Sequence, residues 1–247
     1  MNEIIFDYFL LKEILKPVFR GGSRIVFIDG ESGTGKTSVS VILALRLLYL
    51  AKKVLKKEVS FDLEKNIVFS PLEYKEKLNY YLNTNSLCLI VDEMRFLIPA
   101  RLWQKITSQI FSDINATLRS VKMQKSGFGT ILIYNSQKFS DVLKETRRTV
   151  NLRINMKIFE YCFKGIVLKT TERKFGERYE TIDYRPRLDF NDKTIVIQTV
   201  YFYHLPKHIF DYINELSTKS KSILQQKKAE QLEKSIKKEF NIKEEGD

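Results

Sequence analysis

The chain has 247 residues, of which 43% are hydrophobic and 29% charged. That allows one large domain or two small ones, with a core that needs no covalent staples. Ten glycines, five prolines and 12% aromatics exclude collagen-like and disordered chains, and two cysteines exclude a disulfide framework or a four-cysteine zinc site. Cys88, inside the apolar run LCLIV, reads as a small buried hydrophobe. A reducing, cytoplasmic setting is expected. The longest apolar stretch, Val41–Ala51, has 11 residues and includes Arg46. A membrane span needs about 20. The N-terminus shows neither a basic leader nor a small-residue cleavage site, so no signal peptide is expected. Lys+Arg total 42 against Asp+Glu 30, a net charge of +12. Such an excess suits a polyanionic partner, nucleic acid or an acidic membrane surface, although a lysine-rich proteome would produce it too.

In chain order, residues 1–20 predict an amphipathic helix, ended by Gly21-Gly22. Arg24–Asp29 (RIVFID) reads as a strand buried on both faces. A glycine loop follows, then a helix over Thr37–Leu50. A short strand at Ile67–Ser70 precedes a helix over Pro71–Asn83, its proline in the first turn. Leu87–Val91 is a third buried strand, Leu102–Lys122 a long helix and Thr130–Tyr134 a fourth strand. This alternation predicts a mainly parallel sheet flanked by helices. Beyond about residue 150 the pattern changes. Asn151–Phe163, Gly165–Thr171, Tyr179–Tyr184 and Thr194–Tyr203 predict antiparallel strands extending the same sheet, with a hairpin turn near Gly176. Pro206–Leu216 is a helix candidate. The Lys/Glu-rich tail from Thr218 reads as an exposed helix or a flexible segment. The expected organisation is one domain over 1–217 (helix 1–22, core 24–150, β extension 151–204), then the tail 218–247.

Gly30-Glu31-Ser32-Gly33-Thr34-Gly35-Lys36-Thr37 fits GxxxxGK[ST] at every fixed position, with a strand before it and a helix after it. The glycines let backbone N–H groups converge on phosphate oxygens, and the helix N-terminus points its positive end at the same spot. Gly30 through Ser38 are the nucleotide-binding candidates. Lys36 would reach the β and γ phosphates, and Thr37 would ligate Mg²⁺. LCLIVDE then delivers Asp92 to hold the ion and Glu93 to polarise the attacking water. A second carboxylate favours hydrolysis over transfer to a substrate hydroxyl. TILIYNSQ ends in Gln137, placed to hydrogen-bond the phosphate or the water.

This order of motifs resembles the HerA/FtsK division of the RecA-like P-loop ATPases. In layout it resembles the short members from archaeal viruses and plasmids and the Zot-type phage morphogenesis ATPases. The resemblance covers roughly residues 24–150. It implies a RecA-like P-loop NTPase fold that uses ATP and Mg²⁺. It further implies a homo-oligomeric ring, usually a hexamer, translocating double-stranded DNA, in the host cytoplasm if the source is viral. Against that resemblance, no counterpart of the large N-terminal domains of cellular translocases is expected. In such rings an arginine from one subunit completes its neighbour's site. Arg119, Arg147 and Arg148 are the candidates.

Between Arg101 and Ser140 six basic residues (Arg101, Lys105, Arg119, Lys122, Lys125, Lys138) stand against one acid, Asp113, and Lys52-Lys53 with Lys56-Lys57 form a second cluster. Such residues suit sequence-independent DNA binding. Trp103 and Phe128 could contact DNA or simply pack. His204 and His208 stand four apart, but Pro206 lies between them and no third ligand is near. Two alternatives stay open. One is an AAA+-type replication initiator or helicase loader, with Asn135 as its polar sensor. It would carry a helical lid where Asn151–Tyr203 reads as strands. The other is a virion-assembly ATPase that does not track DNA and could dock on membranes through its lysines.

Overall fold

A computed structural model describes residues 3–93, 117–118, 120–141, 147, 149–159, 162–175, 178–190 and 193–239. The N-terminal helix is built in three pieces: α1 (Glu3–Leu10), a π turn (Leu11–Leu15) and α2 (Lys16–Phe19). The interruption has a local cause. Pro17 has no N–H for the carbonyl of Glu13, four residues back, and Arg24 Nε donates to that carbonyl instead, at 2.8 Å. Phe6, Phe9, Leu10, Ile14, Leu15 and Val18 still face inward along it.

Strand β1 (Ser23–Asp29) is followed by α3 (Lys36–Lys53), β2 (Ile67–Val68), α4 (Pro71–Asn83), β3 (Leu89–Val91), β4 (Thr130–Ser136) and β5 (Leu152–Phe159). With β6 (Cys162–Phe175) and β10 (Thr199–Phe202), the sheet runs β10-β6-β5-β1-β4-β3-β2. Its β5, β1, β4, β3 and β2 members are parallel, and β5–β6 and β6–β10 are antiparallel. Side chains alternate across a strand. Val26 and Ile28 therefore join the α3-side core with Val39, Leu43 and Leu47, while Ile25 and Phe27 join Tyr81, Leu132 and Tyr134 on the α4 side. The α4 N-terminus is held by a capping box, Glu73 Oε1 accepting from Ser70 N–H at 2.9 Å. Residues 117–118 and 120–126 are helical, in keeping with the end of the expected long helix, whose remainder lies outside the described residues.

The antiparallel half departs from expectation in its breaks. Strand β6 is one strand over Cys162–Phe175, paired with β5 and β10 first and then with β7 (Arg178–Tyr184). The expected strand at Thr194–Tyr203 is two, β9 (Lys193–Val196) and β10 (Thr199–Phe202). An unforeseen β8 (Arg187–Phe190) pairs with β9 as a separate ribbon. The C-terminal helix runs Lys207–Glu239, joining the helix candidate at Pro206–Leu216 to the tail, which takes the helical of its two expected forms as far as Glu239. Ile209, Ile213 and Leu216 pack it against the core, and Ser220 donates to Glu73 Oε1 at 2.9 Å. Among the described residues, no helix is long and apolar enough to cross a membrane.

A candidate nucleotide site at the strand ends

In an open parallel sheet, ligands bind outside the carboxyl ends of the strands where the order reverses. Here that place is the end of β1, flanked by β4 and β5. The loop from Gly30 starts there, and α3 begins at Lys36 with Gly35 as its N-cap at φ 77°. Gly33 also has positive φ, 81°. These left-handed turns curl the backbone over the helix N-terminus, as phosphate cradling requires. Thr34 Oγ1 donates to the Glu31 carbonyl at 2.8 Å, and the Lys36 ammonium donates to the carbonyls of Gly30 and Glu31 at 2.9 and 2.8 Å. Lys36 is therefore folded across the loop it would serve. Ser38 is buried in the first turn, and Glu31, Ser32 and Gly33 are exposed at the crest.

Register brings the acids to the same mouth. Val91 pairs with Tyr134, so Asp92 emerges beside Asn135, which itself pairs with Ile28 of β1. Thr37 Oγ1 donates to Asp92 Oδ1 at 2.9 Å, and Asn135 Nδ2 donates to the same oxygen at 2.9 Å. Ser40 Oγ donates to Asn135 Oδ1 at 2.7 Å. Thus α3 and β4 together fix the Asp92 carboxylate. Glu93 follows in the left-handed region at φ 55°, half-buried. A non-glycine residue held there is a strained position of the kind that gathers at functional sites.

Beside the loop lies a cavity of about 810 Å³ whose walls include Gly30, Glu31, Thr34, Gln137 and Arg147. The Gln137 carbonyl accepts the Gly30 N–H at 3.2 Å, so the end of β4 touches the start of the loop. Arg147 Nε makes no hydrogen bond among the described residues. It thus borders the site of its own chain; Arg119 and Arg148 lie outside the described residues. The floor of the cavity is an ion network. Arg153 grips Asp29 with Nε and Nη2, each at 2.8 Å, and reaches Asp183 with Nη1, while Asn155 Nδ2 donates to Asp29 at 2.9 Å. Burial works against the Arg153 charge, but hydrogen bonding and attraction from Asp29, then from Asp183, hold its pKa above the ordinary value.

Sequence reasoning missed the support given by Ser40, Asn155 and Arg153, and considered Asn135 only as the sensor of the alternative reading. One signal was available for Arg153: Asp29 ends a strand read as buried on both faces, and a buried carboxylate demands a partner. Two nucleic-acid candidates are corrected. Lys122 is fully buried, donating to the carbonyls of Tyr81 and Thr84 at 2.6 Å each. It satisfies the C-terminal carbonyls of α4 and offers no charge to a polyanion. Phe128 is buried against Phe19, ring centroids 5.3 Å apart, and is a packing residue. Lys125, Lys138 and the Lys52–Lys57 cluster are exposed where described; Arg101, Trp103, Lys105 and Asp113 lie outside the described residues.

Mg²⁺ takes oxygen ligands, commonly one or two carboxylates together with substrate phosphates. Thr37 Oγ1 and Asp92 Oδ1 are such donors at the loop mouth, so the residues fit the ion. Among the described residues, no cluster of three or more His, Cys, Asp or Glu side chains offers a rival metal site.

Compared with known proteins, the chain matches no family model and no curated protein. Among solved structures it is similar to the N-terminal domain of zonular occludens toxin from Neisseria meningitidis. Identity there is 14%, covering 66% of this chain and 93% of that one, with a TM-score of 0.39. It is also similar to the flagellar accessory protein FlaH from Methanocaldococcus jannaschii, at 16% identity, 62% and 81% coverage and a TM-score of 0.34. The parallel order β5-β1-β4-β3-β2, a phosphate loop after β1 and acids after β3 make this a RecA-like P-loop NTPase fold, extended by antiparallel strands and a C-terminal helix.

Proposed function

We propose that the chain hydrolyses ATP with Mg²⁺ and couples the reaction to movement or packaging of double-stranded DNA as a homo-oligomeric ring, a hexamer by resemblance. The observation that carries the hydrolytic part is the Thr37–Asp92–Asn135 network beside Glu93, at the N-terminus of α3. In this reading the amides of residues 30–38 and the Lys36 ammonium bind the β and γ phosphates. Thr37 and Asp92 would hold Mg²⁺, which would supply positive charge for the transferring phosphoryl group. Glu93 accepts a proton from the water as its oxygen bonds to the γ phosphorus. The bond to the β–γ bridging oxygen breaks, leaving ADP and phosphate. Gln137 orients the water or the γ phosphate. Arg147 contributes positive charge from the same chain, and Arg119 or Arg148 remains the candidate from a neighbour.

The DNA part rests on the net charge of +12 and on the resemblance. A strand-built extension, β5 to β10, stands where an AAA+ initiator would carry its helical lid, which favours the translocase over that alternative. The test is ATPase rate with and without duplex DNA at low and high salt, with particle mass measured in the presence of an ATP analogue and duplex. Faster hydrolysis on duplex, falling away with salt, and the mass of a closed ring are expected. Hydrolysis indifferent to DNA, with no binding at low salt, would leave an assembly ATPase.

A further inference from the structure

The α4-side face of the sheet is packed over β1, β4, β3 and β2, whose residues enter the core around Tyr81, Leu132 and Tyr134; no residue of β5, β6 or β10 joins that core. The α3-side residues of these three strands, Ile154, Met156, Val167, Val200 and Phe202, are buried. Their other parity forms an outer face, because residues directly opposite in a ladder share a face and alternate residues return to it. One row across it is Lys157 of β5, Lys164 of β6 and Tyr201 of β10. The next row sets Phe159 of β5 opposite Cys162 of β6.

Two features of this patch call for a ligand. Lys157 and Lys164 are direct cross-strand partners, and neither makes an ion pair among the described residues. Like charges set opposite each other in a sheet repel, and an anion lying across them relieves the repulsion. Phe159 and Tyr201 are 48% and 42% exposed, so much of each ring's surface is open. The two centroids are 5.8 Å apart with the planes inclined at 58°, and Lys164 Nζ lies 5.8 Å from the Phe159 centroid. Cations and open ring surface thus alternate on one sheet face. A second copy of the chain meeting this face symmetrically would set lysines against lysines. Two rings among lysines are too little apolar surface to hold a membrane. A strand of phosphates and unstacked bases satisfies both features at once.

We propose that the outer face of β5, β6 and β10 binds single-stranded DNA, its bases stacking on Phe159 and Tyr201 and its phosphates lying on Lys157 and Lys164. The inference goes beyond duplex movement and does not depend on the nucleotide reading. In a duplex the bases are stacked on one another and offer the rings nothing, so the aromatic contribution belongs to single strands alone. The lysine contribution is a phosphate contact, so it falls as salt rises.

The experiment measures fluorescence anisotropy of labelled oligo(dT) of about 15 nucleotides and of a duplex of the same length, at about 50 and about 200 mM NaCl and without nucleotide. The full-length protein is compared with three double variants, Phe159→Ala/Tyr201→Ala, Phe159→Trp/Tyr201→Trp and Lys157→Ala/Lys164→Ala. Lys219→Ala/Lys227→Ala, on the C-terminal helix, is the charge-matched control. Thermal melting confirms that each variant is folded. The alanine pair at the rings is expected to weaken oligo(dT) by about 10-fold or more and to leave the duplex within about twofold, while the tryptophan pair retains oligo(dT) affinity. The lysine pair should lower the slope of log affinity against log salt by about 1.4, at ~0.7 per phosphate contact, and the control should not. Oligo(dT) binding that survives loss of both rings, or an equal loss of oligo(dT) and duplex, overturns the proposal. So does a parent that ignores oligo(dT) at low salt yet sediments with phosphatidylserine vesicles, or whose particle mass falls when the rings are removed. Each of these outcomes leaves the nucleotide reading standing, because no nucleotide is present.

Discussion

Asp92 and Glu93 are neighbours in sequence and stand in different environments. Asp92 is 7% exposed and receives hydrogen bonds from Thr37 and Asn135, an arrangement that keeps an acceptor pointed in one direction. Glu93 has a left-handed backbone and is only half-buried. The first suits a metal ligand, the second a proton acceptor that must move. Replacing Glu93 by Gln keeps shape and removes basicity. Glu93→Gln should bind ATP normally and turn over at least ~100-fold more slowly in a steady-state phosphate-release assay. Near-parental turnover would assign the base to another group.

Lys122 is legible at this scale only as a charge, and the sequence cannot say that it is inside. Burial pushes its ammonium down from 10.5 to about 7, with the nearby Cys88 acting weakly the other way. Between those values the unfolded chain holds a proton that the folded one has released. Stability therefore rises as pH is raised from 7 toward 10.5, while below 7 the full penalty of charging the buried amine is present. Urea denaturation should show the protein gaining about 2 kcal/mol between pH 7 and 9. Lys122→Met should flatten that slope, and an unchanged slope would clear Lys122 as its source.

Among the elements, the N-terminal helix and β4 meet where neither has a side chain. A Cβ on Gly129 would lie 1.8 Å from the Gly22 carbonyl oxygen, and the Gly129 N–H donates to the Val18 carbonyl at 2.9 Å. Backbone on both sides cannot yield as a flexible side chain can. Gly129→Ala should cost at least ~2 kcal/mol in chemical denaturation. Gly127→Ala, at φ 75° but with open space around it, should cost about 1 kcal/mol. Equal losses would show that the crossing relaxes. The helices and parallel strands were legible because their signals are local: a run of apolar residues, a proline in a first turn, glycine spacing in a loop. The boundaries that shifted depend on partners. The π turn exists because Pro17 and Arg24 meet across the Glu13 carbonyl. The division of Thr194–Tyr203 reflects two different pairings, β9 with β8 and β10 with β6.

Over the whole molecule the same distinction applies to the site. The loop from Gly30 to Ser38 and the acids at the end of β3 could be read directly, because fixed spacing specifies them. Ser40 against Asn135, Arg153 against Asp29 and Phe163 against Gly35 could not, because each contact is set by strand order and register. Sheet order 6-5-1-4-3 brings together residues far apart in the chain, 95 positions for Ser40 and Asn135 and 124 for Arg153 and Asp29. The C-terminal helix was legible only as one of two alternatives: beyond the turns anchored by Ile209, Ile213 and Leu216, a polar pattern fits an exposed helix and a flexible segment alike.

Strand β6 gives the molecule a mechanical property. Its 14 residues, about 46 Å at roughly 3.3 Å each, begin beside the phosphate loop and leave the main sheet to form the ribbon with β7. Root and tip belong to one continuous beam with its fulcrum where β5 and β10 let go. A tilt of a few degrees at Phe163 would swing the far end through several ångströms.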